Sequence, residues 1–226
     1  LEQNYKIAII GLGYVGLPLA LSFGKYYTTI GYDINVETVN HLNSKYNNES
    51  SILFTNKKSD ISIANIYIVT VPTPVYDNNL PDLSFLESAT KLIASSLNEG
   101  DIVIYESTVY PGVTEDFCVP ILEDISNLRY NIDFYCGYSP ERINPGDDSK
   151  KLEDIIKVTS GSNDKSADII DDLYNKIVLA GTYKAPSIKV AEASKVVENI
   201  QRDVNIALMN ELSMMFDKMD ISLLEV

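Results

Sequence analysis

The chain has 226 residues, of which 45% are hydrophobic, and its 32 acidic and 18 basic side chains give a formal net charge of −14. This charge argues against a nucleic-acid surface, which would need a basic face, and no apolar run reaches the roughly 20 residues that span a membrane. The single histidine argues against a histidine triad or a metal site. We expect a cytoplasmic globular protein without a signal peptide, a metal or a membrane contact.

The first predicted unit is a strand, a glycine-rich turn and a helix. The apolar run Ile7–Ile10 predicts a buried strand, and the run Tyr14–Phe23 predicts a helix. Between them, Gly11 permits a tight turn, and Gly13 leaves room for a pyrophosphate to approach the backbone. Gly16 lets the helix pack close to the strand, and the helix N-terminus offers free N–H groups to phosphates. The pattern indicates a dinucleotide-binding turn.

The next predicted strand ends in a carboxylate. The run Thr28–Tyr32 predicts this strand, and Asp33 follows at the spacing where a carboxylate accepts hydrogen bonds from an adenosine ribose. A 2′-phosphate would be repelled by the charge, so we expect NAD rather than NADP. A helix is predicted at Val36–Lys45, and the polar stretch Tyr46–Asp60 is expected to be a surface loop.

Strands and helices continue to alternate along the chain. Further strands are predicted at Ile66–Val71, Ile102–Glu106, Phe134–Tyr138, Ile155–Ser160 and Ile177–Leu179. Further helices are predicted at Leu83–Leu97, Val113–Ser126 and Lys165–Asn175. The alternation implies parallel strands with right-handed crossovers, and hence an α/β, Rossmann-like, doubly wound sheet. Four polar clusters fall at the carboxyl ends of strands, where such sheets bind ligands: the glycine turn, VPTP, ESTVYPG and SPERINPG.

The end of the chain differs from the rest. From Ser187 to about Met219 the sequence contains no Gly or Pro, and it is compatible with one helix of roughly 30 residues. Apolar residues on two faces of this helix indicate packing against more than its own sheet, either because the chain is a fragment or because a second copy covers the helix. We expect a dinucleotide-binding domain at residues 1–185 and a long helix opening a linker region at residues 186–226.

The polar clusters contain candidate chemical groups. Glu141 and Arg142, in SPERINPG, could be an acid/base and an anion contact, or they could form an exposed ion pair in a turn. Thr108 could hold a water or a hydroxyl near a reacting carbon, or it could be a capping residue. Thr73, which lies between two prolines, could reach the cofactor or could be a turn residue.

The long helix and the cysteines complete the set of candidates. Lys195 and Asn199 are four residues apart and share a helix face. An ammonium beside a carboxamide can stabilise a developing alkoxide, although helix lysines commonly belong to a solvated polar stripe. We expect Cys118 on a crossover helix and Cys136 within a strand, both as buried thiols in a reducing compartment rather than as nucleophiles.

Six ordered motifs point to one family. They are GLGYVGLPLA, GYDIN, VTVPTPV, ESTVYPGVTE, GYSPERINPG and AEASKVVEN. With these motifs, the chain resembles the UDP-glucose/GDP-mannose dehydrogenase family from about Lys6 to its end. The variant SPERINPG, together with VPTP, looks most like the branch that oxidises UDP-N-acetylhexosamines to uronic acids for surface polysaccharides.

The resemblance implies that the C6 hydroxyl of a UDP-sugar is oxidised to a carboxylate by two NAD, through a thioester on a cysteine. The residues it implies for NAD binding are Gly11, Gly13, Tyr14, Val15, Gly16, Asp33, Val71, Pro72, Thr73, Ser107 and Thr108. The catalytic roles it implies are water binding by Thr108, acid/base chemistry by Glu141, oxyanion stabilisation by Lys195 and fixing of the reacting oxygen or water by Asn199. Arg142 would bind substrate together with Glu141, Lys195 and Asn199. The long helix would form the interface of a homodimer.

The chain departs from the family pattern at three points. The nucleophilic cysteine and the C-terminal UDP-binding domain of the family follow the long helix, and we expect both beyond this chain. Pro145 stands where the glucose-oxidising branch has a glutamate, which argues against UDP-glucose, and the stretch Tyr46–Asp60 is short for the family. We therefore expect a fragment that binds NAD but is inactive alone. The alternatives are a catalytically silent NAD-binding regulatory module, or a β-hydroxyacid-type dehydrogenase that uses a lysine and an asparagine but no cysteine.

Overall fold

A computed structural model of the chain describes residues 5–47, 51–142 and 152–226. The strands of the main sheet are β1 (Lys6–Ile10), β2 (Thr28–Tyr32), β3 (Ile52–Thr55), β4 (Ile66–Val69), β5 (Ile102–Tyr105) and β6 (Tyr135–Tyr138). A separate parallel pair consists of β7 (Lys157–Thr159) and β8 (Thr182–Lys184). The α-helices are α1 (Gly16–Phe23), α2 (Val36–Lys45), α3 (Ser84–Ala94), α4 (Val119–Ser126), α5 (Asp164–Asn175) and α6 (Ile188–Asp217).

The main sheet is parallel throughout and has the strand order β3-β2-β1-β4-β5-β6. This confirms the predicted doubly wound α/β architecture. The chain order reverses beside β1, because β2 pairs with one edge of β1 and β4 pairs with the other. In open parallel sheets a ligand binds at such a switch point, in the crevice outside the carboxyl ends of the strands.

The central strands are covered on both faces, which explains their continuous apolar sequences. Along β1, Ile7 and Ile9 face a core shared with α1, α2 and α5, whereas Ala8 and Ile10 face a core shared with α3, α4 and the start of α6. All four side chains are buried. The alternation of β1 side chains therefore joins two separate helical layers.

Two sequence predictions are wrong at the edges of the sheets. The expected loop Tyr46–Asp60 contains β3, which pairs with β2 as an edge strand, although residues 48–50 lie outside the described part. Its pattern is hard to recognise because the strand has only four residues and Leu53 is half exposed. The expected strand Ile177–Leu179 is a turn after α5, and β8 forms five residues later, with a largely exposed sequence.

The segment Val113–Ser126 is helical as predicted, but its first part is a π-helix, Val113–Cys118, that continues into α4. Short 3-10 helices cover Lys58–Ile63, Leu152–Asp154 and Leu223–Glu225. None of the helices in the described ranges is long and apolar enough to cross a membrane.

The long helix α6 confirms the single helix predicted from Ser187 to about Met219. It has 30 residues, and the Ser187 hydroxyl caps its N-terminus by accepting a hydrogen bond from the Val190 amide. Ile188 and Ala191, in the first turn, are buried in the main core. Beyond that turn the exposed apolar side chains include Val197, Ile200, Val204, Ile206, Leu208, Met209, Met214 and Met215. Most of α6 therefore extends past the sheet.

Candidate functional site

The glycine turn after β1 has the geometry that the sequence predicts. Gly11 has a φ of +96°, in the left-handed region, and its amide donates to the Tyr32 carbonyl at 2.8 Å. A Cβ added to Gly16 would lie 1.8 Å from the Gly11 carbonyl oxygen, so only glycine fits there. A Cβ added to Gly13 would meet no protein atom within 4 Å. The open space at Gly13 fits the close approach of a pyrophosphate to the backbone.

Asp33 is held by the backbone on both sides of its carboxylate. One oxygen accepts from the Leu12 amide of the glycine turn at 2.9 Å, and the other accepts from the Asn35 amide before α2 at 2.8 Å. A carboxylate has about four lone-pair sites, so further acceptor capacity is left for ribose hydroxyls. The carboxylate is thus fixed beside the glycine turn.

One cavity of about 540 Å³ unites the polar clusters at the carboxyl ends of the strands. Every predicted cofactor residue except Gly16 lines it, and so do the predicted catalytic residues Thr108, Glu141 and Lys195. An adjoining, mostly apolar cavity of about 470 Å³ shares Gly11 and Asp33 with the first and is also lined by Ile34, Phe85 and Leu92. The pair fits a dinucleotide with an apolar seat for its adenine ring. The sequence interpretation did not single out Phe85 or Leu92 as candidate cofactor contacts.

Direct hydrogen bonds join the VPTP and ESTVYPG loops. The Thr73 hydroxyl donates to the Thr108 carbonyl at 2.6 Å, and the Ser107 hydroxyl donates to the Val71 carbonyl at 2.6 Å. The phenol of Tyr138 donates to the Ser107 carbonyl at 3.2 Å. The two loops therefore form one wall of the cavity, on which the Thr108 side chain is exposed.

Glu141 is buried and contacts a lysine that the sequence interpretation did not identify. The Nζ atom of Lys157 lies 3.0 Å from one oxygen of Glu141 and 2.7 Å from an oxygen of Glu106. The other Glu141 oxygen accepts from the Arg142 amide at 2.6 Å, and the Tyr174 phenol donates to the other Glu106 oxygen. Glu141 thus belongs to a buried cluster rather than to an exposed turn. The signal in the sequence was the position of this lysine inside the predicted strand Ile155–Ser160, which does not reveal its partners.

Burial and charge act in opposite directions in this cluster. Burial by itself would lower the pKa of Lys157, but the Glu106 and Glu141 carboxylates outweigh it, and the Lys157 pKa lies above its ordinary value. Burial raises the pKa of Glu106, and the neighbouring Glu141 raises it further, against the opposing effect of Lys157. Lys157 is therefore the charge that makes two buried carboxylates compatible with each other.

The candidate residues of α6 lie in different surroundings. Lys195 is half-buried at the cavity, and desolvation lowers its pKa, although Glu198 and Glu141 partly oppose this. Asn199, one turn further on, is exposed, and its side-chain oxygen accepts from Arg202 at 3.5 Å. The two predicted residues thus share one helix face, but of the two it is Lys195, and not Asn199, that is among the described residues lining this cavity.

The start of α6 is fixed by a buried carboxylate that the sequence interpretation also missed. Glu192 accepts from the Gly112 amide at 2.6 Å and from both the amide and the hydroxyl of Thr114, at 3.0 and 2.7 Å. A second tie joins the Arg142 Nε atom to a Glu198 oxygen at 3.1 Å. These contacts hold the Lys195 turn of α6 against the cavity. Residues 143–151, with Pro145, lie outside the described part of the chain.

Comparisons with known proteins agree with this geometry. Residues 45–178 match the NAD binding domain of the UDP-glucose/GDP-mannose dehydrogenase family, and residues 189–226 match its central domain. A UDP-N-acetyl-D-glucosamine 6-dehydrogenase from Pseudomonas aeruginosa is 51% identical over 97% of the chain and 54% of its own length. The solved structure of a UDP-D-ManNAc dehydrogenase from Pyrococcus horikoshii matches with a TM-score of 0.91 and 33% identity, over 97% of the chain and 56% of its own length.

The chain spans about half the length of the curated relatives that it matches. The glycine turn, the Asp33 carboxylate fixed beside it and the matched NAD binding domain identify NAD as the cofactor. The chain belongs to the UDP-glucose/GDP-mannose dehydrogenase family.

Proposed function

We propose that this chain is the NAD-binding part of a nucleotide-sugar 6-dehydrogenase that oxidises the C6 hydroxyl of a UDP-N-acetylhexosamine to a carboxylate with two NAD. The observation that carries the proposal is the convergence of Glu141 and Lys195 on the cavity that also contains the glycine turn. The 51% identity to a UDP-N-acetyl-D-glucosamine 6-dehydrogenase supports an N-acetylhexosamine as the sugar.

In this proposal the cofactor supplies the hydride acceptor, and the chain supplies binding, proton transfer and charge. Asp33 would accept hydrogen bonds from the ribose hydroxyls, and the backbone at Gly13 and the start of α1 would face the pyrophosphate. Glu141 accepts the proton of the sugar hydroxyl. The Lys195 ammonium stabilises the oxygen as negative charge develops.

Thr108 and Asn199 have positioning roles in the same proposal. Thr108 is exposed on the wall formed by the two crossed loops, where its hydroxyl can hold a water beside the reacting carbon. Arg142 pairs with Glu198, which precedes Asn199 on the same turn of α6. Arg142 and Asn199 would both contact substrate.

The second oxidation needs a thiolate that neither cysteine of this chain can supply. Burial raises the pKa of Cys118 to about 12, and that of Cys136 lies well above its ordinary value. Both side chains are fully buried. We therefore place the nucleophile in another part of the natural polypeptide, so this chain alone would bind NAD without completing the reaction.

The test uses the natural polypeptide that contains this chain. It is supplied with NAD and with UDP-N-acetylglucosamine, UDP-N-acetylgalactosamine or UDP-glucose, and NADH is followed by absorbance. Two NADH for each N-acetylhexosamine consumed is the expected result, and Glu141→Gln should abolish turnover while NAD still binds. One NADH per sugar, or none with any UDP-sugar, would contradict the proposal; NAD binding without turnover would favour a silent regulatory module.

We further propose the division of the chain at residues 185 and 186 and a homodimer through α6. The exposed apolar side chains Ile200, Val204 and Leu208 recur every four residues and form one stripe. Val204→Glu should shift the mass measured by light scattering from dimer to monomer, whereas the matched change Gln201→Glu, at a polar exposed position, should not. A monomeric parent protein would exclude the dimer.

A further inference from the structure

A buried lysine lies directly behind the candidate acid/base. Lys157, the first residue of β7, is 3% exposed, and Glu106 is 2% exposed. The lysine contacts Glu106 at 2.7 Å and Glu141 at 3.0 Å, and the Tyr174 phenol donates to Glu106 from α5. A charge is buried at this depth only when it is paired, because desolvation costs several kcal/mol or more. The four groups therefore form one unit.

The unit reaches the cavity only through its carboxylates. Glu106 and Glu141 line the cavity, whereas Lys157 does not. Lys157 therefore has no direct contact with a ligand there, and it acts on the site through Glu141. With all three groups ionised, two carboxylates and one ammonium sum to a charge of −1.

Among the residues that the structure describes, charged and titratable groups from several elements surround Glu141. They are Glu106 after β5, Lys157 on β7, Tyr174 on α5, Lys195 on α6, and beyond them the Arg142–Glu198 pair. Lys157 favours the ionised form of Glu141 by direct contact, and Glu106 opposes it by repulsion. Lys157 and Glu106 therefore act in opposite directions on how readily Glu141 accepts a proton.

We propose that Lys157 is a positioning residue for Glu141, which it holds at the cavity in the ionised form that can accept the proton of the sugar hydroxyl. In that transfer the O–H bond of the sugar breaks and an O–H bond forms on Glu141. The added proton changes the net charge of the buried unit from −1 to zero. This inference rests on the proposed function of the site. Glu106 has the opposite effect on Glu141, because its charge strengthens Glu141 as a base.

The test compares three variants of the natural polypeptide. Lys157→Met leaves two buried carboxylates without their ammonium, so the acid limb of the pH profile of kcat/KM should move up by about one pH unit or more. Lys157→Arg keeps the charge and should leave the limb near its original place. Glu106→Gln removes the repulsion and should move the limb to lower pH.

A purely structural role would lower activity equally at every pH and would leave the acid limb in place, which would overturn the inference. NAD affinity, measured separately, should change less than kcat in all three variants. If Lys157→Met does not fold, Glu106→Gln still tests the sign of the shift, and an acid limb that stays in place or moves to higher pH in that variant would overturn the inference.

A readout without turnover separates this inference from the proposed function. The carboxyl carbon of Glu141 is followed by ¹³C NMR during a pH titration and is assigned by its loss in Glu141→Gln. The midpoint should rise in Lys157→Met and fall in Glu106→Gln even if no UDP-sugar is oxidised. An unchanged midpoint in both variants would refute the role of Lys157 whatever the substrate proves to be.

Discussion

Two glycines of the same turn are expected to respond oppositely to substitution by alanine. A Cβ at Gly16 would lie 1.8 Å from the Gly11 carbonyl oxygen and 2.5 Å from the Thr70 hydroxyl oxygen. Ordinary contacts begin near 3.4 Å, so α1 would have to move by more than an ångström. The Gly11 carbonyl cannot yield easily, because the Thr70 hydroxyl already donates to it at 2.7 Å.

The magnitude for Gly16→Ala follows from two opposing effects. Overpacking costs about 1–3 kcal/mol, and the higher helix propensity of alanine returns less than about 1 kcal/mol at the first turn. We expect a net loss near 2 kcal/mol, which for a chain of this size lowers the Tm by about 4–8 °C.

Gly13→Ala is the matched control. Gly13 is not among the described residues with a positive φ, and its Cβ would meet no atom within 4 Å, so stability should be unchanged. The methyl group would occupy the space where the pyrophosphate approaches, so NAD affinity should fall about tenfold or more. The assays are thermal unfolding without ligand and NAD titration by calorimetry. If Gly16→Ala unfolds at the parental temperature, or if Gly13→Ala binds NAD normally, the assignment of the turn is wrong.

Three further predictions concern the Asp33 carboxylate, the two buried thiols and the Asp101 carboxyl. Asp33→Asn should weaken NAD binding by about 1.5–3 kcal/mol and narrow the preference for NAD over NADP, because a charged acceptor of the ribose hydroxyls is lost; equal loss for both cofactors would contradict this. Cys118 and Cys136, with raised pKa values, should resist a thiol reagent in the native protein and react only after denaturation, as mapped by mass spectrometry. Burial raises the pKa of Asp101 from 3.8 to about 6. Between pH values of about 4 and about 6 the native state therefore binds more protons than the unfolded state, and the free energy of unfolding should fall as the pH rises through this range. Asp101→Asn should flatten that dependence in denaturant titrations.

The fold was largely predictable because its central strands are buried on both faces. Such strands appear in the sequence as continuous apolar runs, and β4, β5 and all of β1 after Lys6 have this form. The edge strand β3 and the short strand β8 have exposed positions and only four and three residues, so their sequences resemble loops. Prediction fails where the buried surface, and with it the sequence signal, is small.

The cavity was predictable for a different reason. Parallel topology places the carboxyl ends of all the strands at one edge, so polar clusters that follow strands must meet there. This edge contains the glycine turn, Asp33, Thr73 and Thr108. Their placement there follows from the topology and does not depend on side-chain contacts. The alternatives for Glu141 and Arg142 could not be resolved in this way, because they depend on which charges face them across the fold.

The charges that orient the site come from far along the chain. Lys157 is 51 residues from Glu106 along the chain. Glu192 is 80 residues from Gly112, whose amide donates a hydrogen bond to it. A local pattern can place such a residue in a strand or a helix, but it does not reveal the partner, which is set by topology. Each of these buried groups would cost free energy if it were left alone, so each persists only because its partners are in place. Glu192 fixes the start of α6 and hence Lys195, while Lys157 contacts and fixes Glu141. The two candidate catalytic groups therefore converge on one cavity because a separate buried charge holds each of them in place.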